Sequence, residues 1–339
     1  MSLAPLFVDV LRGGHVESRH RVAAAVVDAD GVARALIGDV ERPVFPRSAV
    51  KVIQALPLVE SGAADAFALT TRELALAGAS HNGEGVHVET ARAMLARVGR
   101  DAACLACGPQ WPNLEDDRGR LHRAGETPSR LHNNCSGKHA GFVCAACHQG
   151  LDPAGYETPD HPIQRQIAAA LADVCGVDVA QAPRGRDGCS IPTWALPLRA
   201  LAHGFARLGT GTGLAPARAD AARRLLAAAR AEPHMIAGTG RACTALIQAF
   251  AGEIYVKVGA EGVYVASLPA LGLGVALKVE DGATRAAEVA VATILARLTG
   301  RIDDPALTRF LSPPLNDWVG VEVGAVSAGA GWGEAIGAA

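Results

Sequence analysis

A chain of 339 residues that is 50% hydrophobic can bury one large core or two ordinary ones. Its net charge is −2 with no long run of either sign, and only 4% of residues are aromatic, which argues against nucleic-acid and anionic-membrane partners. No stretch of ~20 apolar residues escapes interruption by a charge, Pro or Gly cluster, so no membrane span is predicted. Met1 to Gly14 has neither a basic start nor a long apolar run, so no signal peptide is expected and the chain reads as cytoplasmic. Eight cysteines in that setting read as reduced thiols. Cys104-x-x-Cys107 and Cys144-x-x-Cys147 resemble a four-cysteine zinc pattern, but the pairs lie farther apart than the ~15–20 residues of a typical finger. Their apolar neighbours favour core packing instead.

In chain order, Phe7 to Leu11 reads as a short strand. Arg21 to Val27 and Val32 to Ile37 read as a hairpin turning at Asp30-Gly31. Phe45-Pro46-Arg47-Ser48-Ala49-Val50-Lys51 then opens a helix, with Pro46 at the first helical position and Ala49, Val52, Ile53 and Leu56 as its core stripe. Pro57 should end or kink it. Thr70 and Glu73 form a capping box for a helix through about Gly78. The polar loop Ser80-His81-Asn82-Gly83-Glu84 follows, then a helix over Val86 to Val98. Residues 100 to 135 read as irregular. Asn134 or Ser136 caps a buried helix that carries Lys138 and His139 in its first turns, unless both snorkel to solvent. Further helices are expected at Pro162 to Cys175, Leu196 to Leu208, Ala215 to Ala231 and Ala242 to Ala251. Glu253 to Val258, Gly262 to Leu268 and Gly274 to Val279 switch to a period of two and read as a three-strand meander. Arg285 to Leu298 is a closing helix, and the tail is ambiguous.

Strands at both ends and helices between predict an α+β fold. Residues 1–60 and 252–339 would form an antiparallel sheet lobe, and 61–251 a mostly helical lobe with the active site between them.

Ser48-x-x-Lys51 sets a hydroxyl and an amine three residues apart on one helix face, where a neutral lysine can activate serine. Ser80-His-Asn82 and Lys257-Val-Gly259 follow in the order of the three marks of serine β-lactamases and penicillin-binding proteins, with His81 in place of Asp and Val258 in place of Thr. The joint match points to a serine acyl-transfer site.

The longer motifs are more specific. They are Phe45 to Lys51, Ala79-Ser-His-Asn82, His132-Asn-Asn-Cys135-Ser-Gly-Lys138-His139, Asp187-Gly-Cys189-Ser-Ile-Pro192, Gly240-Arg-Ala-Cys243-Thr and Lys257-Val-Gly-Ala-Glu261-Gly. Together they resemble the Rhizobium etli-type (class 3, asparaginase II) L-asparaginases, from about Val16 to about Glu288. The resemblance implies a fold related to serine β-lactamases and glutaminases. It implies hydrolysis of L-asparagine to L-aspartate and ammonia through an acyl-enzyme. It makes Ser48 with Lys51 and Ser80 with Lys257 the two catalytic pairs, in exchangeable roles. It makes Cys135, Lys138 and Cys189 zinc ligands, with water as the fourth. Asp187 stands beside the metal, and Arg47, His139 and Cys243 are cleft residues. Asn82 is taken as substrate-binding. His81 contacts substrate or caps its loop, and Glu261 orders the turn beside Lys257. A homodimer is implied. The competing expectations are an amidohydrolase for glutamine or a β-lactam, and a non-catalytic protein that zinc merely stabilises.

Overall fold

The computed structural model describes residues 4–337. The outermost positions of the expected sheet lobe, 1–3 and 338–339, lie outside the described residues. The chain divides into two compact units, one of residues 1–49, 195–210 and 249–339, the other of 50–194 and 211–248. Residues 50–60, expected in the sheet lobe, therefore group with the helices, and 195–210 group with the sheet.

The first unit is built on an eight-stranded sheet whose pairings are all antiparallel. Its strands are β1 (Leu6–Arg12), β2 (His15–Asp28), β3 (Ala33–Ile37), β4 (Tyr255–Gly259), β5 (Val263–Leu268), β6 (Leu273–Val279), β7 (Pro314–Asn316) and β8 (Glu322–Ala328). Their order is β7-β8-β1-β2-β6-β5-β4, with β3 also paired to β2. The expected hairpin and meander are present, and β2 with β6 joins the two chain ends in register from Val22 with Val279 to Asp28 with Leu273. The tail that the sequence left ambiguous supplies β7 and β8, and Trp332 buries its ring and donates Nε1–H to the Phe7 carbonyl at 2.9 Å.

Every residue of β5 is buried, so both faces of the middle of this sheet are covered. The helices Leu198–Thr210 and Thr284–Leu298 both pack on it. The first comes unusually close: a Cβ on Gly274 of β6 would lie 2.0 Å from the Ala202 carbonyl oxygen and 2.4 Å from the Ala206 nitrogen. Backbone on both sides leaves nothing flexible to move. Gly274→Ala is expected to lower the unfolding free energy by about 3 kcal/mol, read as a lower urea midpoint at unchanged slope.

The second unit is helical. At its centre runs Ser136–His148, in which every residue from Ser136 to Ala146 is buried, the polar Ser136, Lys138 and His139 included. Helices Leu56–Glu60, Ala63–Ala66, Thr71–Ala77, Gly85–Ala96 and Pro162–Cys175 pack around it. A Cβ on Gly137 would lie 2.3 Å from Leu76 Cγ and 2.5 Å from the Leu76 carbonyl oxygen, so only glycine allows this approach. The Thr70–Glu73 capping box is formed.

Three local expectations fail. The helix after Pro46 is a 3₁₀ turn, Arg47–Val50, followed by Lys51–Gln54. As expected of Pro57, that helix ends at Gln54, and Pro57 sits in the first turn of a new helix, Leu56–Glu60, where its missing N–H costs nothing. The N-cap of the central helix is Cys135, not Asn134 or Ser136. Finally, the polar stretch read as irregular contains the helix Glu115–Arg123. Glu115, Asp116 and Asp117 in its first turn and Arg120, His122 and Arg123 in its last complement the helix dipole, which offsets its weak apolar pattern. Among the described residues, no helix is long and apolar enough to cross a membrane.

Candidate functional site

The entry to the central helix gathers the predicted metal-binding side chains. Cys135 caps it, Lys138 lies one turn on, and Cys189 arrives on the loop between the short paired strands Arg184–Arg186 and Pro192–Trp194. That loop turns through Ser190 at φ +81°. Lys138 Nζ donates to Cys189 Sγ at 3.0 Å, and the two thiols share a hydrogen bond. Lys138 is 1% exposed, so it does not snorkel. The hydrogen bond from Cys189, with the nearby lysines, holds the Cys135 thiol well below its ordinary value, and the shared proton and burial push Cys189 up. Burial works against the Lys138 charge, but the two sulfurs outweigh it and hold its amine protonated. Two sulfurs and one amine in a water-poor pocket form a donor set that fits zinc. Binding through Lys138 requires loss of its proton, which costs an ordinary lysine roughly 4–5 kcal/mol at pH 7 and costs more here beside the two sulfurs, a cost that a dication offsets.

Lys51 belongs to the same cluster. Its Nζ donates to the carbonyls of Ala79 at 2.6 Å and Asn134 at 3.3 Å, and it also bonds the Cys135 sulfur. Burial pulls its amine below the ordinary lysine value, and positive Lys138 pushes the same way. One lysine thus links the backbone just before Ser80 to the thiol pair. The loop it meets is held like an added strand: Ser80 N–H bonds the Ile236 carbonyl at 2.9 Å, His81 N–H that of Asn134 at 3.2 Å, and Asn82 N–H that of Ala237 at 2.9 Å. His81 accepts from Gly83 N–H at Nδ1 (3.1 Å), so its Nε2–H faces Ser136 Oγ at 3.0 Å. Complete burial keeps this ring neutral. These bonds are those of a loop-capping residue, the second of the two roles left open for His81.

In the sheet unit, Arg47 stands at φ +52°, a left-handed conformation costing a non-glycine residue ~1–3 kcal/mol, immediately before half-buried Ser48. Lys257 on β4 is fully buried and donates to the Val258 carbonyl at 2.9 Å. A Cβ on Gly259 would lie 2.3 Å from the Pro46 carbonyl oxygen and 3.3 Å from Ala49 Cβ. The glycine of Lys257-Val-Gly259 therefore lets the Lys257 strand lie directly against the Ser48 turn, bringing together residues from opposite ends of the chain. Glu261 sits at φ +60° in the β4–β5 turn and takes a 2.6 Å bond from Lys278 at its carbonyl.

A family model of L-asparaginase II matches residues 8–328. The chain belongs to the L-asparaginase II family. Comparison with curated proteins gave no match. Among solved structures, Mglu in its glutamate form aligns with TM-score 0.34 and 14% identity, covering 77% of this chain and 56% of that one. A second Mglu structure gives 0.33 and 15%, covering 77% and 61%. This chain thus spans a little over half the length of those proteins, and a likeness at that level carries no argument about function.

In this L-asparaginase II family member, the other residues that the motifs single out, His139, Asp187 and Cys243, lie in the helical unit. His139, fully buried, shares a 2.5 Å hydrogen bond between Nδ1 and Tyr156 Oη, while Tyr156 accepts from Ala106 N–H at 2.7 Å. Burial beside Lys138 and Lys51 keeps His139 neutral. Tyr156 had no motif to flag it. Asp187 is half-buried, pins the turn by accepting Gly188 N–H at 2.6 Å, and sits close enough to act on the charges of Lys138 and Cys189. Cys243 is buried in the first turn of Ala242–Ala249. Cys107 and Cys144 are core thiols, each pushed up to about 12 by burial, while Cys104 and Cys147 are half-buried.

Asn82 is engaged on every side. Its amide donates to Glu84 Oε1 at 3.0 Å and the Thr239 carbonyl at 2.9 Å, and accepts from Arg241 at 3.0 Å and Asn113 at 3.2 Å. Asn82→Ala strands several of these partners and is expected to cost about 2–4 kcal/mol of stability, measured by thermal unfolding.

Proposed function

We propose that this chain is an L-asparaginase of the Rhizobium etli type, hydrolysing L-asparagine to L-aspartate and ammonia. As a member of the L-asparaginase II family it is an asparaginase-type amidohydrolase acting on a small-molecule substrate. The observation that carries the finer reading is the buried group of Lys51, Cys135, Lys138 and Cys189, which matches the residues the motifs single out. The same reading assigns a serine β-lactamase-like fold, a homodimer and a cytoplasmic setting.

In this mechanism Ser48 Oγ attacks the side-chain amide carbon of asparagine and passes its proton to Lys51, whose basicity burial lowers below that of an ordinary lysine. Backbone N–H groups, that of Ser48 among them, hold the developing oxyanion. The C–N bond then breaks, and the leaving nitrogen takes a proton through Ser80 and Lys257 to depart as ammonia. Water attacks the resulting Ser48 ester, the proton path runs in reverse, and aspartate leaves. Zinc, held by Cys135, Lys138 and Cys189, would supply a fixed positive charge that lowers the proton affinity of Lys51.

The test is ammonia release from a panel of asparagine, glutamine and simple amides, with zinc measured on the purified chain. Asparagine should give the highest kcat/KM, by about 100-fold or more over glutamine, because one extra methylene displaces the amide carbon from Ser48. A chain that folds, binds zinc and releases no ammonia from any amide would leave zinc as a purely structural ion and overturn the reading.

A further inference from the structure

A second set of metal-binding side chains lies apart from the thiol cluster. Glu84 precedes the helix Gly85–Ala96, His87 is on its first turn, and His234 comes from the short helix Pro233–Ile236. Their ligating atoms all lie within 4.8 Å of one another. We propose that Glu84, His87 and His234 bind a divalent transition-metal ion, as a second metal site with no sulfur ligand.

Three observations support this. The first is an unmet lone pair. His87 is fully buried, and its Nε2 lies 3.1 Å from the His234 carbonyl oxygen. A carbonyl only accepts, so Nε2 carries the proton and Nδ1 is bare. Among the described residues Nδ1 has no hydrogen-bond partner, although it is buried. An orphaned acceptor of this kind costs about 1–3 kcal/mol. A ring whose other N–H is fixed by a backbone carbonyl is also the usual arrangement of a metal-binding histidine.

The second is spacing. His234 Nε2 and Glu84 Oε2 stand 3.1 Å apart. Two donors on one tetrahedral ion at ~2.0–2.1 Å are separated by roughly 3.3 Å. A proton now occupies the line between them, and an ion can take its place with little movement of either side chain.

The third is that the carboxylate is held from behind. Glu84 Oε1 accepts from Thr239 N–H at 2.7 Å and Asn82 at 3.0 Å, and Oε2 accepts from Thr239 Oγ1 at 2.9 Å. A Cβ on Gly238, at φ +109°, would lie 2.3 Å from Glu84 Oε1 and 2.8 Å from Asn82 Nδ2. The space for this carboxylate exists only because that position is glycine. Outer bonds of this kind orient a metal-bound carboxylate.

Two imidazoles and a carboxylate suit zinc, cobalt, manganese or iron, whereas Cys135 and Cys189 favour softer ions. The bound ion clamps residues 84–87 to 234–239. The first of these stretches follows the Ser80 to Asn82 loop, and the second contains its backbone partners Ile236 and Ala237. His81, His87 and His234 stack in series with centroids 4.8 and 5.3 Å apart, so the ion also fixes the ring that faces Ser136.

Cobalt(II) binding to the metal-stripped full-length chain tests this, because thiolate-bound cobalt gives a near-ultraviolet charge-transfer band that an imidazole–carboxylate site lacks. The wild type should bind one cobalt per chain beyond those that the charge-transfer band accounts for. His234→Ala and Glu84→Gln should each lose that one equivalent and keep the charge-transfer band. Equal cobalt stoichiometry in wild type and both variants overturns the site. Should the variants fail to fold, anomalous scattering from cobalt-treated wild-type crystals decides: a peak among Glu84, His87 and His234 supports the site, and a peak beside the cysteines alone overturns it.

Discussion

Ser48→Ala is expected to reduce asparagine turnover by on the order of 10⁵–10⁶-fold, the loss typical of removing a catalytic serine, with the far-ultraviolet circular dichroism and unfolding midpoint unchanged. Ser48 is half-buried on a 3₁₀ turn and follows a strained Arg47, so its hydroxyl carries little of the packing. Its loss therefore removes chemistry and leaves the fold. Ser80→Ala, affecting proton delivery to the leaving nitrogen, should cost less, roughly 10²–10⁴-fold. Mass spectrometry of the quenched reaction should find the aspartyl adduct on Ser48 in the wild type and in Ser80→Ala. The reverse order of effects, with the adduct on Ser80, would exchange the two roles. Near-wild-type turnover in Ser48→Ala would remove it from the nucleophile role altogether.

Lys138→Arg should abolish zinc binding at the thiol cluster although it preserves the charge. The 3.0 Å contact between Lys138 and Cys189 admits two readings, an ammonium serving as counter-ion to the shared thiol–thiolate pair or an amine ready to bind an ion. Arginine separates them, because it keeps the positive charge but does not deprotonate in proteins. Zinc affinity should fall by more than the roughly 10–100-fold that loss of an outer-shell partner costs. Lys138→Gln, smaller and neutral, should lose zinc to the same extent and controls for the bulk of arginine. Metal analysis after dialysis reads both. A Lys138→Arg chain that retains one zinc per chain would reduce Lys138 to a counter-ion for the sulfurs.

What was legible beforehand follows from which forces are local. The Asp30-Gly31 hairpin, the Thr70 capping box and the meander from Tyr255 to Val279 are dictated by neighbours in sequence, and they form as expected. Glu115–Arg123 escaped because its support is electrostatic rather than an apolar stripe. Pro57 was legible as a break, because proline disfavours a helix interior but suits a helix start, and one helix ends at Gln54 before another begins at Leu56. At the site, the motifs pointed to Cys135, Lys138, Cys189 and Lys51. Composition alone would have left Lys138 on the surface, and only tertiary packing shows it buried against sulfur. Glu84, His87 and His234 carried no signal, since 147 residues separate the two histidines and no motif joins them. The close approaches at Gly137, Gly238, Gly259 and Gly274 are equally invisible in the sequence, because each depends on what lies opposite.

The pairing of β1 with β8, Val8 opposite Ala328, has a consequence for biosynthesis. While the chain is being made, β1 emerges long before its outer neighbour β8. Until then β1 and β2 present an open edge of unpaired backbone, the kind of surface that recruits strands from other chains. The contiguous helical stretch from 50 to 194 can condense early, but the sheet must wait for the strands from Tyr255 onward. Late closure of the sheet is thus built into the order of its strands.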